Sequence, residues 1–469
     1  MAKKRKIEEN VSVIAIADKG NCIGKNPAGK VFLVEKAVPG DVVDLFVRRK
    51  KKGLPFGAPE RFLRHSPHRI AAVCAHFGDC GGCKWQNLDY KEQLAQKDTL
   101  VRDAITRIGR QEGVLFEPIL GSGEIYHYRN KLEYSFSSKR WISSRLIAEA
   151  NGAKLEKANA LGFHAPGVFD KIVDVETCHL QPEPSNKIKN LLRSFALENQ
   201  LSFYDYRAHS GLMRGLIIRT ASTGQVMVTV IFGQADNANI EAVMRFLTGN
   251  IPEITTSAYI INTKHNDSYF DLDYTVFSGP GYIIEKLGEV QYKIGPKSFF
   301  QTNTGQAKRL YDIIIEYAGI QPSDTVYDLY SGVGSIALYL AQKATKVVGI
   351  ETVDTAITDA RENAALNGFD HVHFVKGDVE DVLADAFREK HGDPDVIITD
   401  PPRAGMHPGT LEHLLELSPR RIVYVSCNPA TQARDILRLS EKYRVDKVRP
   451  IDMFPHTSHV ESIALLSLR

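Results

Sequence analysis

Apolar and polar positions along the 469-residue chain change their rhythm twice. The first segment has short apolar runs, Val11 to Ala17, Lys30 to Val34 and Asp41 to Arg48, punctuated by Gly20, Gly24, Gly29 and Pro39-Gly40. Strands at this spacing predict a five-stranded β barrel of the OB type over residues 1–67, with the basic run Arg48 to Gly53 following the third of these runs. An amphipathic stretch from about Tyr90 to Arg110 predicts a helix. Alternating runs such as Gly215 to Thr220 and Gln225 to Phe232 then predict a mixed, largely antiparallel α+β region within 68–290. From residue 291 to 469 strands alternate with helices, which predicts an α/β, Rossmann-like domain with a doubly wound parallel sheet. Its expected strands are Thr325 to Leu329, Lys346 to Glu351, His373 to Val375, Asp395 to Thr399 and Arg421 to Ser426, closed by Tyr443 to Met453 and Ser462 to Leu468.

Composition narrows the class. The chain is 43% hydrophobic and 25% charged, which excludes a disordered, collagenous or coiled-coil protein. No apolar run approaches the roughly 18 residues a bilayer span needs, and the N-terminus does not read as a signal peptide, so a cytoplasmic protein without membrane contact is expected. The net charge of +3 hides a gradient: residues 1–73 hold 16 Lys and Arg against 7 Asp and Glu, and the remainder 43 against 49. Such a front end suits a module that captures a polyanion. The six cysteines are too few for a disulfide scaffold of this length, so reduced thiols are expected.

The first strand of the C-terminal domain ends in Asp328-Leu-Tyr-Ser-Gly-Val-Gly334, where Gly332 and Gly334 permit a tight turn and close approach of the backbone to a ligand. Glu351 closes the next strand, and Asp378 and Asp400 follow the third and fourth. Carboxylates at the carboxyl ends of parallel strands line the edge where such sheets bind ligands, with simple helix capping as the alternative, above all for Asp378. A ligand with a cationic end, such as S-adenosylmethionine, suits these acids better than a pyrophosphate.

Two further segments bring chemistry to that edge. Asp400-Pro-Pro-Arg-Ala-Gly405 carries Arg403 where methyltransferases acting on amino groups usually have an aromatic residue. Ser426-Cys-Asn-Pro429 puts Cys427 at the end of the fifth strand. C5 of uracil is too weak a nucleophile to take a methyl group from a sulfonium, and addition of a thiolate at C6 makes it an enolate carbon. A base must then remove the C5 proton; Glu461, expected just before the last strand, is the candidate, with His456 and His459 nearby as either helpers or ordinary turn residues.

Ser298-Phe-Phe-Gln-Thr-Asn303, the Asp328 to Gly334 segment, Asp400 to Gly405, Ser426 to Pro429 and Phe454-Pro-His-Thr-Ser-His-Val-Glu461 together resemble the RNA uracil-5-methyltransferase family, and the N-terminal barrel resembles its TRAM domain. The resemblance implies S-adenosylmethionine bound through Gln301, Tyr330, Glu351 and Asp400, with Asp378 a weaker transfer, Cys427 as nucleophile and Glu461 as base. RNA is the implied partner, and no obligate protein partner is evident. Phe299, Phe300, Gln301 and Asn303 are candidates for lining the uridine pocket, with either phenylalanine equally a core residue.

Cys74, Cys80 and Cys83, with Cys178 more distant in sequence, provide four thiolates that suit zinc or a [4Fe–4S] cluster, and spacing alone does not choose. The ribosomal-RNA branch of the family resembles this pattern and implies the cluster, so the reading is 5-methyluridine formation in 23S ribosomal RNA. Transfer RNA is the alternative substrate. An iron–sulfur redox or radical enzyme is the alternative class; it fits less well, because radical enzymes usually carry three cysteines at a narrower first spacing.

Overall fold

The computed structural model describes residues 6–17, 20–153, 155, 158–383 and 385–469. Lys3, Lys4 and Arg5, which contribute to the basic front end, and Asp18 and Lys19 lie outside the described residues. Strands β1 (Ile7–Ile16), β2 (Cys22–Lys25), β3 (Val31–Val34), β4 (Val42–Lys51) and β5 (Leu54–Arg64) close into the expected five-stranded barrel in the order β1-β2-β3-β5-β4. Val11, Phe32, Val34, Val43 and Leu45 fill it. Gly57 lets β5 cross β4 closely: a Cβ there would lie 2.1 Å from the Phe46 carbonyl oxygen. Most of the basic run is strand, not loop: Arg48 to Lys51 extend β4, and Arg49 and Lys51 flank the Phe56 ring at 5.5 and 4.8 Å.

Residues 65–89 carry three of the cysteines and insert Trp85 and Leu88 into the barrel core. Helix α1 (Tyr90–Asp103), capped by the Asp89 side chain, continues into a π-helical turn (Ala104–Ile108) and a short strand β6 (Leu115–Phe116). This segment packs with the C-terminal layer, since Val101, Ala104 and Ile105 join its core.

The central sheet is built from β7 (Lys131–Ser137), β8 (Ala160–His164), β9 (Ile172–Asp174), β10 (Met213–Thr220), β11 (Val226–Phe232), β12 (Thr256–Ile261) and β13 (Tyr274–Ser278), with helices α2 (Ser144–Glu149), α3 (Ser185–Glu198) and α4 (Asn237–Asn250) between them. Its order is β13-β12-β11-β10-β7-β8-β9, antiparallel except for β11 and β12. One face buries Leu216, Ile218, Val228 and Val230 against Ile188 and Leu192 of α3 and Val243 and Leu247 of α4. The alternate residues Ile217, Ile231 and Ile260 form only a small cluster under Tyr269 and Leu272, which leaves that face largely uncovered by helices.

A hairpin, β14 (Ile283–Leu287) and β15 (Val290–Ile294), and helix α5 (Thr304–Ala318) lead into the C-terminal domain. It contains β16 (Thr325–Leu329), α6 (Ser335–Leu340), β17 (Lys346–Glu351), α7 (Asp354–Leu366), β18 (Val372–Lys376), α8 (Val379–Val382), α9 (Asp385–His391), β19 (Val396–Thr399), α10 (Pro408–Leu417), β20 (Arg421–Ser426), α11 (Pro429–Leu439), β21 (Tyr443–Ile451) and β22 (Glu461–Leu468). The sheet order is β18-β17-β16-β19-β20-β22-β21-β6, with β16 to β20 parallel and β22 antiparallel. Every residue of β19 is buried, as a parallel strand covered on both faces requires. Strand order reverses between β16 and β19, which opens a crevice at their carboxyl ends.

Candidate active site

The turn after β16 is forced by its glycines. Tyr330, Gly332 and Gly334 all have positive φ, at 64°, 55° and 78°. A Cβ on Gly334 would sit 2.6 Å from the Phe374 ring, whereas the space beside Gly332 is open. Glu351, at the end of β17, accepts from the Gly332 N–H at 3.0 Å, and its other oxygen accepts from the Thr352 and Val353 N–H groups at 2.8 and 2.9 Å. Asp328 is buried and holds the Ala337 N–H at 2.9 Å with one oxygen, while its Oδ1 has no partner among the described residues. Burial, with Asp400 and Glu351 nearby, pushes its carboxyl well above the usual range. Burial likewise pushes Asp400 up to about 7. Asp378 is exposed and caps α8 through a 3.4 Å contact with the Glu380 N–H.

Cys427 follows β20 in a turn tied to the Asp400 to Gly405 loop: Asn428 donates from Nδ2 to the Arg403 carbonyl at 2.9 Å and accepts from the Ala430 N–H at 3.2 Å to start α11. The Cys427 thiol is free and half-buried. Burial, then the carboxyls of Glu461 and Asp400, push it up to about 11, and Arg403 pulls it down. Glu461 is buried and is pushed up to about 8 by burial and by Asp400, again opposed by Arg403. It is the first residue of β22 rather than the last of the preceding loop, so its backbone is fixed by pairing with Ile451. The structure therefore brings Asp400, Arg403, Cys427 and Glu461 into one electrostatically coupled site.

Residues 298–303 approach from the domain boundary. Asn303 caps α5 and donates from Nδ2 to the Met453 carbonyl at 3.1 Å. Asn130 Nδ2 donates to the Gln301 carbonyl at 2.9 Å. The two phenylalanines separate: Phe300 is core, beside Tyr292, and Phe299 is 67% exposed.

The four thiols Cys74, Cys80, Cys83 and Cys178 are free and near enough to raise one another; burial together with the other three pushes Cys80 up to about 12. The Gly82 N–H reaches the Cys80 Sγ at 3.4 Å, and the Gln86 side-chain amide reaches the Cys83 Sγ at 3.3 Å. Among the described residues, no group of three or more His, Cys, Asp or Glu side chains is arranged to hold a metal ion as it stands.

The tRNA (uracil-5-)-methyltransferase family model matches residues 280–469. An uncharacterised RNA methyltransferase of Bacteroides thetaiotaomicron is 48% identical over 442 residues, covering 94% of this chain and 97% of its own. A second, of Porphyromonas gingivalis, is 46% identical, covering 93% and 95%. The chain belongs to the RNA uracil-5-methyltransferase family. The crystal structure of the Pyrococcus abyssi tRNA (uracil-54, C5)-methyltransferase with S-adenosyl-L-homocysteine superposes with a TM-score of 0.74 at 28% identity, covering 97% of this chain and all of that one.

The methyltransferase also has a supporting network that sequence reasoning missed. Lys97 of α1 and Asp452 are fully buried and paired at 2.6 Å, and Lys97 also donates to the Phe454 carbonyl at 3.1 Å. Gln93 accepts from the His456 N–H at 2.9 Å, and the His456 carbonyl accepts from Lys84 and Trp85 N–H at 2.8 and 3.1 Å. Burial pushes the His456 imidazole down to about 4, and the ring stacks on Tyr126 at 4.5 Å. His456 is thus a neutral anchor for the segment that ends in Glu461, and that segment is clamped to the cysteine-bearing loop. A polar lysine on the buried stripe of α1 was the one signal available in sequence.

Proposed function

We propose that this methyltransferase forms 5-methyluridine in RNA through a covalent adduct between Cys427 and uridine C6, with 23S ribosomal RNA as the substrate. The coupled placement of Cys427, Glu461 and Arg403 carries the reading. The Cys427 thiolate adds to C6, and the electron pair moves to the C4 oxygen, which makes C5 nucleophilic. After C5 has taken the methyl group, Glu461 accepts the C5 proton; the freed pair restores the C5–C6 double bond and expels the thiolate. Glu461's raised pKa suits a base that must work near neutrality.

S-adenosylmethionine would be held by Gln301, Tyr330, Glu351, Asp378 and Asp400 and would supply an electrophilic methyl group, leaving as the neutral thioether S-adenosylhomocysteine. The unpartnered Asp328 oxygen, the raised Asp400 and the open space at Gly332 support a cationic ligand here. A [4Fe–4S] cluster on Cys74, Cys80, Cys83 and Cys178 is supported by the N–H···S donors from Gly82 and Gln86, which suit an anionic cluster. The barrel of residues 1–67 captures RNA by phosphate contacts, residues 68–290 present the substrate, and residues 291–469 carry out transfer, in the cytoplasm. The target uridine is flipped out of its stack to reach Cys427.

Transfer RNA is the second reading, favoured by the family model and by the substrate named for the Pyrococcus enzyme. Mass-spectrometric mapping of 5-methyluridine in ribosomal and transfer RNA, with and without the gene, separates them. Loss of one ribosomal methyl group, restored by wild type and not by Cys427→Ala, is expected; loss confined to transfer RNA would move the substrate.

A further inference from the structure

The three phenylalanines that are exposed among the described residues, Phe169, Phe270 and Phe299, are 63%, 59% and 67% accessible. They do not scatter. Phe299 and Phe270 line one cavity of about 330 Å³, part of whose wall is the Ser298 to Asn303 segment. Phe169 lines another of about 680 Å³, formed by the end of β8 and the loops around residues 165–169, 206–209 and 265–267. A small third cavity joins them: it shares Glu133 with the first and Tyr206 and Asp267 with the second. The series runs along the face of the sheet that lacks a helix cover.

The remote cavity is walled by flat rings. His209 and His265 stack with centroids 4.1 Å apart and planes 11° from parallel, and both are exposed. His164 and Tyr206 meet edge to face at 5.2 Å. The Arg207 guanidinium lies 5.6 Å from the Phe169 ring centre and is paired with the neighbouring Asp170 carboxylate. The acids along the series are neutralised: Arg214 holds Asp267 at 3.2 Å, and Lys131 and the Tyr269 hydroxyl hold Glu133. At the end near Ser298, whose carbonyl accepts from Arg219, the buried Nε groups of Arg129 and Arg219 have no partner among the described residues. Exposed π-faces in a series beside guanidinium groups suit an unpaired RNA strand, because every base has a face to stack.

We propose that the Phe169, His209 and His265 cavity is a nucleobase subsite that holds an unstacked base of the RNA strand leading to the target uridine. It rests on the RNA-methylation reading and adds a recognition point away from Cys427. This subsite lengthens the single-stranded footprint the enzyme requires and so discriminates between RNA loops that present the same target base.

The test is binding of a short fluorescein-labelled single-stranded RNA by the full chain, read by anisotropy, with photo-crosslinking of a 4-thiouridine-containing version of the same RNA. Phe169→Ala is expected to weaken binding about tenfold and to raise KM for RNA, Phe169→Trp to retain wild-type affinity, and crosslinks to fall in residues 164–169, 206–209 or 265. Binding by Phe169→Ala within about twofold of wild type, or crosslinks confined to other segments, overturns the subsite. Methyl transfer and Cys427 adduct formation by wild type are measured in parallel. Their absence refutes the uridine C5 reading, whereas their presence with unchanged Phe169→Ala binding refutes the subsite alone.

Discussion

The carboxyl of Glu461 is the strongest charge acting on the Cys427 thiol, and it acts to keep that thiol protonated. Arg403 opposes it at both groups. Glu461 itself is raised by burial and by Asp400, to about 8 against about 11 for the thiol, so the base is set to ionise before the nucleophile in the ligand-free protein.

That coupling fixes a pH dependence. Glu461 is raised from the ordinary carboxylate range to about 8, so the fraction able to accept a proton grows as pH rises. The single-turnover rate at which free methylated RNA is released from the Cys427 adduct, the step that needs Glu461, is expected to climb from about pH 6 to about pH 8. A rate independent of pH over this range in stopped-flow or quenched reactions contradicts Glu461 as the base.

Lys97→Met removes the cation from a buried pair and leaves Asp452 with an uncompensated charge. The expected loss is about 3–5 kcal/mol, read as a lower denaturant midpoint, with most of it recovered in the Lys97→Met, Asp452→Leu double variant. Equal stability of the single variant and wild type would remove the network from its anchoring role.

Anaerobic preparation is expected to give about four irons and four acid-labile sulfides per chain, and Cys80→Ser to abolish them. Zinc without iron or sulfide would replace the cluster by a structural metal site.

Deleting residues 1–66 removes the basic barrel. RNA affinity is expected to fall, and the slope of log affinity against log salt to flatten, by roughly one for each lost phosphate contact. An unchanged salt slope in filter binding would mean that the barrel does not touch phosphates.

Much of the catalytic layer was legible in sequence because its strands are short, buried and parallel. Thr325–Leu329, Lys346–Glu351 and Arg421–Ser426 begin and end where the apolar runs do. The barrel was legible for a different reason, its turns being marked by glycine and proline. Strand β6 was not, because two residues, one of them exposed, pair with β21 only through long-range contact. His456 was ambiguous: a histidine in a turn looks alike in sequence whether it is exposed or, as here, stacked and buried against Gln93 and Tyr126. The helix-free face of the central sheet was equally hidden, since alternation reveals which residues share a face and not whether a helix covers it.

The central claim is the covalent step at Cys427, and the Glu461→Gln variant tests it most directly. Without the base, reaction with unmodified large-subunit ribosomal RNA and S-adenosylmethionine should stop after methyl transfer, with the protein still bonded to C6. The account predicts a protein–RNA complex that survives denaturing electrophoresis and, after nuclease and protease digestion, a methylated uridine mass on the peptide containing Cys427. If no such complex forms, and Cys427→Ala still makes 5-methyluridine at the wild-type rate, the account is contradicted.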